Sequence, residues 1–408
     1  MEQFEKLGLS KEVLSVLQEA GFKTPSEIQE KTIPLALAGK DIIGGSATGS
    51  GKTLVFACPI IENIQPDRSI QSLILTPTRE LAEQVAKSIK QFSKNKILNI
   101  LPVYGGVDIE QQIRRLRSAD VVVGTPGRIL DHLKRRTINL NNVKILVLDE
   151  VDRMFDMGFS RDVELILHQC PKQRQTMMFS ATISPDVEYL ARKHTINPVK
   201  VTAESYVDAS KLKQIYYDAP QGQKFSLLVH LLKIDIQELV MVFCNTRRNV
   251  EFVFKNLNKS GIRAEAIHGG LTQNNRTKVL EEFKKKVIKV LVCTDVAGRG
   301  LDIKGVTNIY NYNTPLVSTD YIHRIGRTAR AGEKGKVVNI LSSEDYLLFR
   351  KIMEDDSIKE AMKEEKLPEF KIVNILPDFR KSFAPRRNFS AGRSRRDSRP
   401  REFHRARR

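Results

Sequence analysis

Ser46-Ala47-Thr48-Gly49-Ser50-Gly51-Lys52-Thr53 stands between a short apolar segment, residues 41–44, and a longer apolar run that opens at Thr53. A glycine-rich turn between a strand and a helix aims backbone N–H groups and a helix N-terminus at one point, a geometry suited to phosphate. In such a loop the lysine reaches the outer phosphates and the next hydroxyl holds Mg²⁺, which assigns Lys52 and Thr53. The strict pattern begins with Gly, and Ser46 takes that place. The plain alternative is a flexible turn with an incidental Gly-Lys-Thr. The strand before and the helix after weigh against it.

A second stretch supports the first. Residues 144–148 form an apolar strand that ends in Asp149-Glu150-Val151-Asp152. Nucleotide hydrolysis at such a loop needs a carboxylate at a strand end for the metal and another group for the attacking water. Asp149 is the choice for the metal and Glu150 for the water. Read alone, the same four residues would make an acidic turn capping a helix.

Working outward, short apolar runs alternate with longer amphipathic ones, the pattern of βαβ units and parallel sheets. Strands are expected at 41–44, 72–76, 121–124, 144–149 and 176–180, then at 239–244, 288–293, 306–310 and 336–341. A polar segment, 199–212, interrupts the alternation and divides the chain into two α/β domains, 1–204 and 211–370. From 371 to 408 the alternation stops, and Arg, Ser, Pro and Gly take over with scattered Phe. Such a composition cannot bury enough apolar surface to repay ordering, so a disordered tail is expected.

The formal charge of +19 is uneven. Residues 380–408 carry 12 basic and 2 acidic side chains, net +10, leaving +9 for everything before them. A polyanionic partner is the natural inference. Phe383, Phe389 and Phe403 among the tail arginines suit a tether for RNA, with a solubility appendage as the alternative. The four cysteines are widely spaced, which excludes a zinc ribbon or a disulfide framework. No apolar run approaches membrane-spanning length and the first ten residues do not read as a leader, so a soluble, cytoplasmic protein is expected.

The base-reading Asn-Lys-x-Asp of GTPases and the Leu-Ser-Gly-Gly-Gln of ABC ATPases are both missing, and the second domain has no phosphate loop. It offers instead His323-Arg324-Ile325-Gly326-Arg327-Thr328-Ala329-Arg330. Helical spacing puts Arg327 and Arg330 on one face, where they can neutralise a phosphate held by the other domain. A solvated basic helix is the bland alternative.

At this point the sequence resembles the DEAD-box RNA helicases, in order from Phe4 to Arg330. Phe22, Pro25 and Gln29 are similar to the family's Q motif (about residues 2–30), with Phe4 as its upstream aromatic. The resemblance implies that this segment reads adenine. A Gln amide can bond two adenine edge atoms at once. Taken alone, Phe4 reads more often as a small core anchor than as a platform for a base. Pro77, Thr78 and Arg79, then Gly105-Gly106, then Thr125 and Arg128 match segments with which the family grips the RNA backbone. Ser180 and Thr182 match a motif that couples hydrolysis to strand separation, reached through Asp152 and His323. In the second domain Gln273, Arg276 and Thr294 match RNA contacts, and Asp302 matches a contact to the ATP ribose.

The resemblance therefore implies two tandem RecA-like domains with parallel sheets and a basic tail. ATP and Mg²⁺ are the implied cofactors, bound by Ser46, Ala47, Thr48, Gly49, Ser50, Gly51, Lys52 and Thr53 with Asp149. RNA, as single strands and short duplexes, is the implied partner, with room for protein cofactors. A monomer is expected. The implied activity is local duplex opening coupled to ATP hydrolysis; an ATP-gated RNA clamp and a DNA-acting translocase remain alternatives. Two further departures are Val151, where the name motif has Ala, and Ala329, where the family has Gly. If position 329 needs a positive φ, Ala costs about 1 kcal/mol there; within a helix it would help.

Overall fold

Fourteen short strands sort into two sheets in the computed structural model, which describes residues 1–45, 50–202, 212–235, 237–298, 303, 305–329 and 334–375. Ser46, Ala47, Thr48, Gly49, Asp302, Arg330 and the phenylalanines of the basic tail lie outside the described residues.

The first sheet contains β1 (Ile42–Gly45), β2 (Ser72–Leu75), β3 (Ile100–Val103), β4 (Val121–Gly124), β5 (Ile145–Asp149), β6 (Gln175–Ser180) and β7 (Val199–Thr202). The second contains β8 (Leu212–Asp218), β9 (Val240–Cys244), β10 (Ala264–Ile267), β11 (Val290–Thr294), β12 (Asn308–Asn311), β13 (Gly335–Leu341) and β14 (Met362–Glu364). The spatial orders are β3-β4-β2-β5-β6-β1-β7 and β10-β11-β9-β12-β13-β8-β14, all neighbours parallel. The second order is the first with every strand number raised by seven. Among the described residues, then, one topology is used twice.

Central strands are apolar on both faces because helices cover both sides of a parallel sheet. The pleat sends Ile74, Val121, Val123 and Val147 into one core and Leu73, Val122, Leu146 and Leu148 into the other. In the second sheet Val240, Val242 and Val292 face one side, and Met241, Leu291 and Ile309 the other. Each such side chain contributes roughly 1.5–3 kcal/mol on burial.

The polar segment expected at 199–212 is structured at both ends. Val199–Thr202 form β7, and Leu212 opens β8. Likewise residues 371–374, expected to begin the tail, remain part of the packed body. Phe370 and Val373 lie against the second core, and the Val373 N–H donates to Ser226 Oγ at 3.1 Å.

The duplicated topology puts equivalent lysines in equivalent places. Lys52 opens the helix Lys52–Asn63 that follows β1, and Lys224 opens the helix Lys224–Ile234 that follows β8. Lys224 is buried and its Nζ donates to Asp345 Oδ2 at 2.5 Å. Asp345 also accepts from Ser342 Oγ at 2.7 Å. Among the described residues no helix is long and apolar enough to cross a membrane.

Candidate functional site

Ligands in open α/β sheets collect beyond the carboxyl ends of the strands. Because β5, β6 and β1 are neighbours, with Asp149 beside Phe179 and Gly45 beside Ser180, their ends bring the candidate groups into one crevice. The entry to the helix after β1 passes through Gly51, whose φ of 92° suits glycine.

The Q-motif helix, Glu27–Leu37, is bonded to this loop. Ser26 Oγ donates to the Ser50 carbonyl at 2.7 Å, and Gln29 Nε2 donates to the Gly51 carbonyl at 3.1 Å. Gln29 Oε1 accepts from the Ser26 N–H at 2.9 Å, closing a capping box. Gln29 thus ties its helix to the loop that precedes Lys52.

A cavity of about 320 Å³ adjoins the loop, lined among others by Phe22, Gln29, Lys52, Thr53, Asp149 and Glu150. Phe4 is elsewhere. It is fully buried in the first core, edge-on to Phe22 at 6.3 Å, and Phe22 is edge-on to Phe92 at 5.9 Å. Its ring is therefore a brace for Phe22 and not a platform for a base, which corrects the assignment of Phe4 to the nucleotide.

Lys52 Nζ stands 3.7 Å from Asp149 Oδ1, and both side chains are buried. Burial pushes the Asp149 carboxyl up to about 6, with Lys52 pulling it down and Glu150 pushing it further up. Its Oδ1 accepts no hydrogen bond among the described residues. A buried carboxylate oxygen that accepts no hydrogen bond, in the wall of a cavity that Thr53 also lines, suits a hard divalent cation such as Mg²⁺.

Glu150 has a φ of 58°, uncommon for a residue with a side chain. Its Oε2 accepts from Arg153 Nη1 at 2.8 Å. Asp152 Oδ2 accepts from the Ala181 N–H at 3.1 Å, the Thr182 N–H at 2.9 Å and Thr182 Oγ1 at 3.1 Å. Ser180 Oγ donates to the Thr182 carbonyl at 2.7 Å. His323, on the second domain's helix Ser318–Ile325, reaches the same carboxylate, Nε2 lying 3.8 Å from Asp152 Oδ2. Arg327 follows that helix, is buried, and donates from Nε to the His323 carbonyl at 3.3 Å. Val151 packs in the first domain's core beside Met154. Ala329 has a φ of 53°, so the costlier of its two readings applies.

Most of the candidate RNA residues line a second cavity of about 470 Å³, among them Pro77, Arg79, Thr125 and Arg128 of the first domain and Arg276 of the second, beside Arg247; Gly106, Gln273 and Thr294 are not in its lining. Thr78 caps the helix Arg79–Phe92, its Oγ1 accepting from the Leu81 N–H at 3.3 Å. The Arg79 guanidinium lies over Gly105-Gly106, where a side chain at Gly106 would collide with it. Arg128 donates to Gln112 Oε1 at 3.0 Å and to the Val107 carbonyl at 3.2 Å. Thr294 ends β11 and is buried.

Gln273 and Arg276 differ from expectation. Both are buried, and both turn to Glu80 of the first domain. Arg276 Nε is 2.8 Å from Glu80 Oε1, and Gln273 Nε2 donates to the same oxygen at 3.4 Å. The pair joins the domains, and Arg276 meets the cavity only at its wall. An acid in a first helical turn has a local reason to be there, so Glu80 does not announce a partner in the other domain. Nor does the sequence announce the contact of Arg153 with His323 or the place of Arg247 in the cavity wall, which exist only in the folded chain.

Comparison with known proteins agrees with this geometry. Residues 26–190 match the family model described as DEAD/DEAH box helicase, and residues 223–332 match the helicase conserved C-terminal domain. The DEAD-box ATP-dependent RNA helicase CshA of Bacillus subtilis is 43% identical over 371 residues, covering 90% of this chain and 75% of that protein. Among solved structures, Saccharomyces cerevisiae Dbp5 bound to RNA and ADP BeF3 superposes with a TM-score of 0.81 at 30% identity, covering 90% of this chain and 95% of that one. Mss116p bound to ssRNA and AMP-PNP gives 0.80 at 27% identity, over 90% of this chain and 78% of that one. With nine-tenths of its length matched at this identity, and both helicase models satisfied in order, the chain belongs to the DEAD-box ATP-dependent RNA helicases.

Proposed function

We propose that this ATP-dependent RNA helicase works by closing its two domains, 1–204 and 211–370, over one nucleotide and one RNA strand. The observation that carries this reading is a double bridge. His323 meets Asp152 on the nucleotide side, and Arg276 meets Glu80 on the RNA side. Ligands on either side then favour the same closed arrangement, which makes hydrolysis depend on RNA.

In this reading Lys52 and the N–H groups of its loop bind the outer phosphates, and Gln29 with Phe22 meets the adenine. Mg²⁺, held by Thr53 and Asp149, would neutralise phosphate charge. Glu150 orients the attacking water. Arg327 and Arg330 offset charge that develops on the phosphate, and Asp302 holds the ribose. Arg79, Thr125 and Arg128 take the RNA backbone, so binding is largely blind to base sequence. The basic segment 380–408 acts as a further RNA tether, and the working unit is a cytoplasmic monomer.

The test is a pair of assays on the full chain at stated salt: ATP hydrolysis with RNA or DNA as activator, and displacement of a short RNA duplex. Stimulation by RNA with displacement supports the reading. ATP-dependent RNA retention without displacement would recast the protein as a clamp, and equal stimulation by DNA would remove the RNA specificity.

A further inference from the structure

Arg153 is among the largest side chains with no solvent exposure. A guanidinium remains charged and carries five donors in a fixed plane, so full burial is costly unless its partners are arranged around it. Here the partners come from both domains. Nη1 donates to Glu150 Oε2 at 2.8 Å, and Nε donates to His323 Nδ1 at 3.4 Å. The backbone N–H of the same residue donates to Asp152 Oδ1 at 3.0 Å.

The donor at Nε fixes more than a distance. Since Nε can only donate, His323 Nδ1 must accept, which leaves the ring proton on Nε2. That nitrogen is the one facing Asp152 Oδ2 at 3.8 Å. Asp152 is bonded in turn to Thr182 and Ala181. Polar groups therefore line up from Thr182 through Asp152, His323 and Arg153 to Glu150, joined by hydrogen bonds except at the 3.8 Å approach of His323 to Asp152, and the middle member belongs to the other domain.

Glu150 needs such support. Its left-handed backbone is strained for a residue with a side chain and persists only where the surroundings hold it. The arginine three residues on pins that carboxylate through Nη1 and meets His323 through Nε, while its Nη2 has no hydrogen-bond partner among the described residues.

We propose that Arg153 is a positioning residue that sets Glu150 for the attacking water, and that its contact with His323 makes this setting depend on domain closure. The proposal rests on the reading of Glu150 given above. An arginine that only stabilises the core would lower the melting temperature and leave turnover of the folded enzyme unchanged.

The experiment is steady-state ATP hydrolysis by the full chain with saturating polyuridine RNA, for wild type, Arg153→Met, Arg153→Lys and Glu150→Gln. Arg153→Met is expected to lower kcat at least tenfold, with KM for ATP and the Kd of a fluorescent non-hydrolysable ATP analogue within threefold of wild type. Arg153→Lys is expected to recover at least threefold of that loss. Interdomain energy transfer should report closure with RNA and the analogue in both variants. A kcat within twofold of wild type in Arg153→Met overturns the proposal, as does a loss carried by KM or by failure to close. Should Arg153→Met not fold, Arg153→Lys decides by the same split between kcat and KM: a fall in kcat alone supports the proposal, and wild-type kcat overturns it. Undiminished turnover in Glu150→Gln would remove the reading of Glu150 itself. Loss in Glu150→Gln with full activity in Arg153→Met would remove only the role of Arg153.

Discussion

Arg276 Nε lies 2.8 Å from Glu80 Oε1, with both side chains buried, although the two residues belong to different sheets. Removing one member of a buried pair leaves the other charge unmatched, at a cost of about 3–5 kcal/mol. That cost falls on the closed arrangement and spares the folding of each domain. Glu80→Ala should therefore raise the RNA concentration for half-maximal ATP hydrolysis at least tenfold, with little change in melting temperature. The double variant Glu80→Ala, Arg276→Ala should lose less than the two single effects combined. Strict additivity would show that the pair carries no coupling.

Ala329 is held at a φ of 53° and is buried, beside Gly335. A left-handed backbone costs an alanine about 1–2 kcal/mol, and glycine returns roughly half of that gain as chain entropy in the unfolded state. Ala329→Gly should raise stability by about 0.5–1 kcal/mol in denaturant titration. A loss of stability would mean that the methyl group packs better than its backbone suffers.

His194 ends the helix Pro185–His194, and burial, then Arg174, His168 and Lys193, pull its imidazole down from 6.5 to about 4. Above pH 6.5 folded and unfolded chains are alike at this site. Between about pH 6.5 and 4 the unfolded chain takes up a proton that the folded chain refuses, so stability falls as pH falls. His194→Gln should flatten this part of the melting-temperature profile. A profile of unchanged slope would remove His194 as its source.

Gly51 combines a φ of 92° with a position where a methyl group would strike Gln29 Nε2. Gly51→Ala adds left-handed strain and breaks the Gln29 bond, together about 2 kcal/mol, or roughly a 30-fold loss. The loss should appear in ATP affinity while RNA binding without nucleotide is preserved. An equal fall in both would indicate a disturbed fold.

The strands that the sequence pattern displayed are the covered ones. Expectation matched β2, β4, β5 and β6 within a residue or so, and their both-sided apolar runs are the reason. The strands it passed over include β3, β7, β10 and β14, the four sheet edges. Edge strands pack less and accept a proline that a central ladder would refuse, as Pro102 in β3 illustrates. A polar composition disguised β7 as part of a linker.

The site divides along similar lines. Lys52, Asp149 and Asp152 were legible because their chemistry is written in adjacent residues. Phe4 was misassigned because an aromatic near a nucleotide segment can serve the base or the core, and only its packing against Phe22 separates the two. Glu80 and Arg153 gained meaning from partners far along the chain. Glu80 meets Arg276 and Gln273, and Arg153 meets His323. No local spacing encodes such a meeting.

The matching lysines at the heads of two equivalent helices carry one more implication. Lys224 has a permanent internal anion in Asp345, fixed by Ser342, so its charge is settled once the chain has folded. Lys52 faces a carboxylate at 3.7 Å that suits a metal, within a cavity that suits a phosphate chain. At this one position of the shared plan, the second half holds its lysine in an internal ion pair, whereas the first sets its lysine in a cavity wall. The same place in the fold is a strut in one half and a socket in the other.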